Sequence, residues 1–203
     1  MRWLPLLALS ALLLLVGCGE KAQEEITIET ASGYLADTST VVLHQDGTVT
    51  GFIVDSFDAG TYSIDGLKAS ISEEIKEYNA LKEGSVSLVQ CELSEGKVYI
   101  DLLYDSAVNY NHFNGVETFY GTVERAITLG YDFDAVSLIG TDGTGMKGSE
   151  LKNMKNQMIF ISADTSNIRI LQGIDYYESD DVLVNEIEVS VNPDKAYHLV
   201  VVK

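Results

Sequence analysis

Residues 40–54, TVVLHQDGTVTGFIV, decide the reading of the fold. Two runs rich in β-branched residues, Thr40 to His44 and Thr48 to Val54, flank Asp46-Gly47. Side chains of this kind suit the pleated surface of a strand. Asp-Gly is the strongest short hairpin signal, because the favoured two-residue turn needs φ > 0 at both central positions. The stretch predicts an antiparallel hairpin closed at Asp46-Gly47.

Downstream, the period changes. Leu67, Ile71, Ile75, Tyr78 and Leu81 recur every three or four residues, while Ser70, Glu73, Glu74, Lys76 and Glu77 fall off that stripe. This is the signature of an amphipathic helix. Ser63 or Asp65 can cap its start, and Gly84 stands where a C-terminal glycine cap belongs. Ser85 to Leu93 and Lys97 to Leu103 predict a second hairpin around Ser94-Glu95-Gly96. Residues 107–115, AVNYNHFNG, read as a loop or a broken helical turn. Val116, Phe119, Tyr120, Val123 and Ile127 then have helical spacing as far as Gly130, although β-branched residues weaken that helix.

Beyond Gly130 the chain reads β-rich. Ala135 to Ile139, Met158 to Ser162, Asn167 to Leu171 and Val182 to Val184 are short strand candidates. Ser149 to Asn153 adds a helical turn. Ile187, Val189 and Val191 alternate with polar residues, as in a half-buried antiparallel strand. Tyr197 to Val202 is a closing apolar strand. Upstream, Glu25 to Glu29 (EITIE) also alternates with period two. The sum predicts an α+β fold, an antiparallel β-sheet with two helices packed on it and a β-rich C-terminal part. No Pro-rich linker or repeat divides residues 26–203, which read as one extracytoplasmic domain with a sub-boundary near 140 as the alternative.

Composition narrows the function. The net charge is −18 at pH 7. So acidic a chain repels nucleic acid and anionic lipid headgroups, so nucleic acid is not an expected partner. The chain has only two cysteines, Cys18 and Cys91. Cys91 lies in the apolar run SVSLVQCEL and is expected to be buried and inert.

The amino terminus, MRWLPLLALSALLLLVGCGE, is an address. Arg2 gives a positive start, and the apolar run from Trp3 to Val16 is shorter than the ~20 residues of a membrane span. Its end, Leu15-Val16-Gly17-Cys18, resembles the lipobox of bacterial lipoproteins. The resemblance implies that residues 1–17 are a signal peptide cut before Cys18. It also implies that Cys18 carries a diacylglyceryl lipid on its sulfur, with no other cofactor. An ordinary secretory signal with a chance cysteine is the plainer alternative; the full four-residue match and the abrupt polar switch favour the lipobox. Stable retention takes two or more acyl chains. Residues 18–25 would form the lipidated cysteine and a tether, and seven tether residues reach at most ~25 Å. The expected place is therefore the extracytoplasmic face of the cell membrane, with the membrane as partner through the lipid.

Spacing along the chain reveals no catalytic or metal signature. The three histidines, His44, His112 and His198, form no HExxH pair, and His44 and His198 fall in strand-like runs as core or edge residues. No GxSxG elbow or SxxK set is present. TDGTGMKGSE lacks the P-loop order because Gly148, not Ser or Thr, follows Lys147. The same loop fails the EF-hand pattern, and Asp132-Phe133-Asp134 and Glu178-Ser179-Asp180-Asp181 read as solvated acidic loops. No metal ligand is assigned. The remaining oddity is a cluster of rings and amides over residues 104–120. Tyr110, His112, Asn114 and Tyr120 are its candidate ligand-binding residues, since rings stack on a ligand while amides bond its polar groups. The blander account places the rings in the core and the asparagines in turns.

A second resemblance covers most of residues 40–135. The order DGTV, EYN, NYNHFN and FYGTVERAITLGYD is similar to lipoproteins of clostridia-type gut bacteria to which no activity is assigned. It implies lipidation and adds no catalytic residue. Together these readings predict a membrane-anchored binding or interaction module for an unknown ligand or envelope protein. The alternatives are an envelope hydrolase with a dispersed active site and a structural lipoprotein that pairs through a sheet edge.

Overall fold

The computed structural model describes residues 38–81 and 85–203. The leader, Cys18, the tether, the Glu25 to Glu29 strand and Gly84 lie outside the described residues.

Strands β1 (Thr40–Leu43) and β2 (Val49–Ser56) form the expected hairpin, with Leu43 opposite Val49. Its turn is wider than two residues. Only Gly47 is left-handed, at φ 87°. The Asp46 carboxylate accepts from the Thr48 N–H at 3.0 Å and the Thr48 hydroxyl at 2.7 Å, closing a local Asx loop instead.

Helix α1 (Ile64–Leu81) starts where Ser63 Oγ accepts from the Gly66 N–H at 3.0 Å. Ile71 is buried, and Leu67, Ile75 and Tyr78 pack against the same core. Leu81, the last residue of the stripe, is 84% exposed instead. Near the helix end, the Asn79 amide donates to the Val86 carbonyl at 2.7 Å and accepts from the Val86 N–H at 3.0 Å. That pair ties the helix to β3 (Val86–Ser94). The two-residue turn expected in the first hairpin occurs between β3 and β4 (Lys97–Tyr104). There Glu95 and Gly96 both have positive φ, 50° and 75°. Cys91 is buried, and burial pushes its thiol pKa up.

Two expectations fail over residues 107–127. Residues 107–114 are neither a loop nor a broken turn but an unbroken helix, α2 (Ala107–Asn114), capped by Ser106 at one end and left-handed Gly115 at the other. Conversely, the run from Val116 is not helical throughout. β5 (Thr118–Thr122) is a strand, and helix α3 (Val123–Leu129) begins only where Thr122 Oγ1 accepts from the Arg125 N–H. Phe119 and Val123 both pack on one core, so the apparent four-residue period is a strand followed by a helix.

The chain continues through β6 (Ser137–Gly140), β7 (Gly145–Lys147), α4 (Gly148–Leu151), β8 (Met158–Ser162) and β9 (Asn167–Ile170). It ends with β10 (Ile174–Glu178), β11 (Val182–Asn185), β12 (Glu188–Ser190) and β13 (His198–Val202). The α+β class stands, with two sheets and four helices among the described residues. The first sheet runs β11-β12-β9-β1-β2-β4-β3 and the second β5-β8-β13-β10-β6-β7. Among the described residues every strand pairing is antiparallel except β1 with β9, which is parallel. Both sheets mix strands from either side of residue 140.

Two cores result. Val41, Leu43, Ile168 and Ile170 of the first sheet share one with Phe160, Val200 and Val202 of the second, and α1 and α2 contribute Ile71 and Tyr110. The second sheet's other face, Ile159, Ile161, Leu199 and Val201, packs on Val123 and Ala126 of α3, Leu151 of α4 and Phe133. β13 therefore lies between two cores, and all five of its residues are buried. A strand covered on both faces has no polar alternation to show, and its sequence is correspondingly an apolar run.

Candidate functional site

The four ring-and-amide candidates do not share a surface. Tyr110 lies in the core, 5% exposed, with its ring edge-on to Tyr104 at 4.9 Å. Its hydroxyl donates to Asp164 Oδ2 at 2.5 Å, and burial holds its pKa well above the ordinary phenol value. A Cβ at Gly51 would stand 3.2 Å from this ring and 3.3 Å from Tyr104, which accounts for a glycine inside β2. Asn114 is spent within the same knot: its amide donates to the Tyr110 carbonyl at 2.9 Å and accepts from the Tyr104 hydroxyl at 3.3 Å. Tyr120 is half-buried against the first core. His112 is exposed on α2.

Ser, His and Asp do meet elsewhere. Ser162 stands opposite His198 in the β8–β13 register. His198 Nδ1–H donates to Asp181 Oδ1 at 3.0 Å. All three residues are buried, and Ser162 Oγ accepts from the Asp164 N–H at 3.1 Å. His198 Nε2 is buried with no hydrogen-bond partner among the described residues. A triad requires the serine and histidine in contact and open to substrate; here burial makes the group an internal polar tie. Among the described residues no group of three His, Cys, Asp or Glu is placed to hold a metal ion.

An open cleft of about 490 Å³ lies on the outer face of the second sheet. Ile161 of β8 and Leu199 of β13 form its floor with Phe133. One wall follows α3. Gly130, at φ 98°, ends that helix in the left-handed conformation and turns the chain so that Tyr131 and Asp132 enter the rim. Glu117, which precedes β5, stands beside them. Glu178 at the end of β10 and Lys195, Ala196 and Tyr197 before β13 complete the lining.

The polar groups of this rim are ordered. Glu117 Oε2 accepts from the Tyr197 hydroxyl at 2.8 Å, with Tyr131 close to the same carboxylate. Burial first, and then the neighbouring Glu117 carboxylate, push the Tyr131 phenol up to about 12. The Tyr197 phenol is raised chiefly by its bond to Glu117. Lys195 Nζ pairs closely with the buried Glu178 carboxylate and lies 3.3 Å from Asp180. Two carboxylates flank this ammonium, yet partial burial lowers its pKa. Asp181 Oδ1 also accepts from the Asn192 N–H at 2.8 Å. The 178–181 turn thus holds the 192–198 segment, and with it one wall of the cleft.

Sequence spacing does not disclose this site. Glu117, Tyr131, Glu178, Lys195 and Tyr197 are scattered along the chain and belong to no motif. The one local sign was the acidic run 178–181. Its carboxylates are not simply solvated: Glu178 and Asp180 face Lys195, and Asp181 faces His198. Comparisons with protein-family models, curated protein sequences and solved structures return no match. Among the described residues no helix is long and apolar enough to cross a membrane.

Proposed function

We propose that this protein is a lipid-anchored, extracytoplasmic binding module that takes a small ligand in the cleft beside Glu117 and Tyr197. The anchor reading rests on Leu15-Val16-Gly17-Cys18. The binding reading rests on one observation, an open cleft with an apolar floor and a few ordered polar groups on its rim. Ligand sites combine these two elements: burial of apolar ligand surface supplies affinity, and fixed polar groups supply orientation. This moves the recognition site away from Tyr110, His112, Asn114 and Tyr120, of which Tyr110 and Asn114 are spent on partners of their own.

Ligand-observed NMR with the full chain and a small-molecule library tests the binding reading, alongside Ala196→Trp, which plugs the cleft from its exposed wall. The expected result is a set of hits that the variant no longer binds. Hits retained by the variant would remove the cleft from the reading, and turnover of a hit would move the protein to the envelope hydrolases. For the anchor, Cys18→Ser should abolish lipid labelling and membrane retention. A variant held in the membrane by its uncleaved leader would overturn the lipobox.

A further inference from the structure

We propose that the cleft selects a cationic ligand, an ammonium group carried on an apolar body; this rests on the cleft being the ligand site. The charges around the rim support it one by one. Lys195 is matched by Glu178 and Asp180. Asp132 is matched by Lys152 at 3.1 Å, which also reaches Asp134 at 2.5 Å. Glu117 is different. Its carboxylate accepts from the Tyr197 hydroxyl, a neutral donor, and has no ion pair among the described residues. A phenol fixes the position of the carboxylate without cancelling its charge. Its remaining lone pairs are the acceptors that a ligand would meet.

The neighbours of Glu117 suit such a ligand. Tyr131 and Tyr197 flank the carboxylate, and phenol rings attract cations through their faces. Ile161, Leu199 and the half-exposed Leu129 supply the apolar surface for the ligand body. A chain of net charge −18 draws cations towards it and repels anions. An anionic ligand would have to displace Glu178 from Lys195, and so leave a buried carboxylate unpaired.

Three probes of one shape and different charge separate the cases: benzylammonium, benzyl alcohol and benzoate. Each is titrated by NMR into the full chain at pH 7 and low salt, and then into Glu117→Gln and Tyr197→Phe. Benzylammonium should bind tightest. Glu117→Gln should weaken it roughly fivefold, as for a partly exposed charge contact, and leave benzyl alcohol unchanged. Tyr197→Phe keeps the charge and should preserve the order of the three probes. Benzoate binding as tightly as benzylammonium, or benzylammonium indifferent to Glu117→Gln, would overturn the cation reading while bound benzyl alcohol keeps the cleft as a ligand site. No binding by any probe would overturn both.

Discussion

Gly148 is a residue whose role is set by the space around one absent atom. A Cβ there would lie 1.7 Å from the Phe133 carbonyl oxygen and 2.7 Å from its carbon. Its own N–H donates to the Val136 carbonyl at 2.9 Å, so the two backbone segments cannot part without losing that bond. Backbone atoms yield much less readily than a flexible side chain. Gly148→Ala should therefore cost about 3 kcal/mol in urea denaturation, the upper end of the usual range for overpacking. A loss under about 0.5 kcal/mol would show that the segments separate freely. In the sequence this glycine sits in TDGTGMKGSE, where it spoils a phosphate-loop pattern. Its use is close packing, which no motif announces.

At the scale of elements, capping and periodicity explain what was legible and what was not. The period of α1 was clear because eighteen residues average out accidents. α3 spans only seven, and its boundary with β5 is set by one side chain, Thr122. That residue ends the strand and accepts the first free N–H of the helix. Thr122→Ala should cost about 1 kcal/mol, the usual price of a lost N-cap, and melt residues 123–129 first in hydrogen exchange. Equal protection of those amides in both proteins would show that tertiary packing alone holds the helix. α2 escaped sequence reading for a related reason. It carries three asparagines, poor helix formers, but Ser106 and Gly115 cap both ends and Tyr110 anchors it in the core.

For the whole molecule, the question is what holds the cleft wall in place. The 192–198 segment is attached to the 178–181 turn through Asp181, which accepts from His198 and from the Asn192 N–H. Asp181→Ala leaves a buried imidazole and a backbone N–H without their acceptor. Stability should fall by about 2–4 kcal/mol. Hydrogen exchange should speed up at 192–198 more than in β1 or β2. Uniform acceleration across both sheets would mean that Asp181 supports the fold in general and not this wall.

The sequence alone determined the local features. The stripe of α1, the Glu95-Gly96 turn, the strand character of the C-terminal part and the α+β class follow from period, turn chemistry and composition, which act between near neighbours. The proposed lipobox is likewise read from consecutive residues, Leu15 to Cys18. Tertiary structure decided the rest: the division into two sheets, the parallel β1–β9 pair, the burial of Tyr110, and the meeting of Glu117, Tyr131, Lys195 and Tyr197 around one cleft. Pairing of distant strands is settled by which faces can be buried together. Rim residues of a cleft are placed by the strands beneath them and leave no spacing along the chain from which to read them.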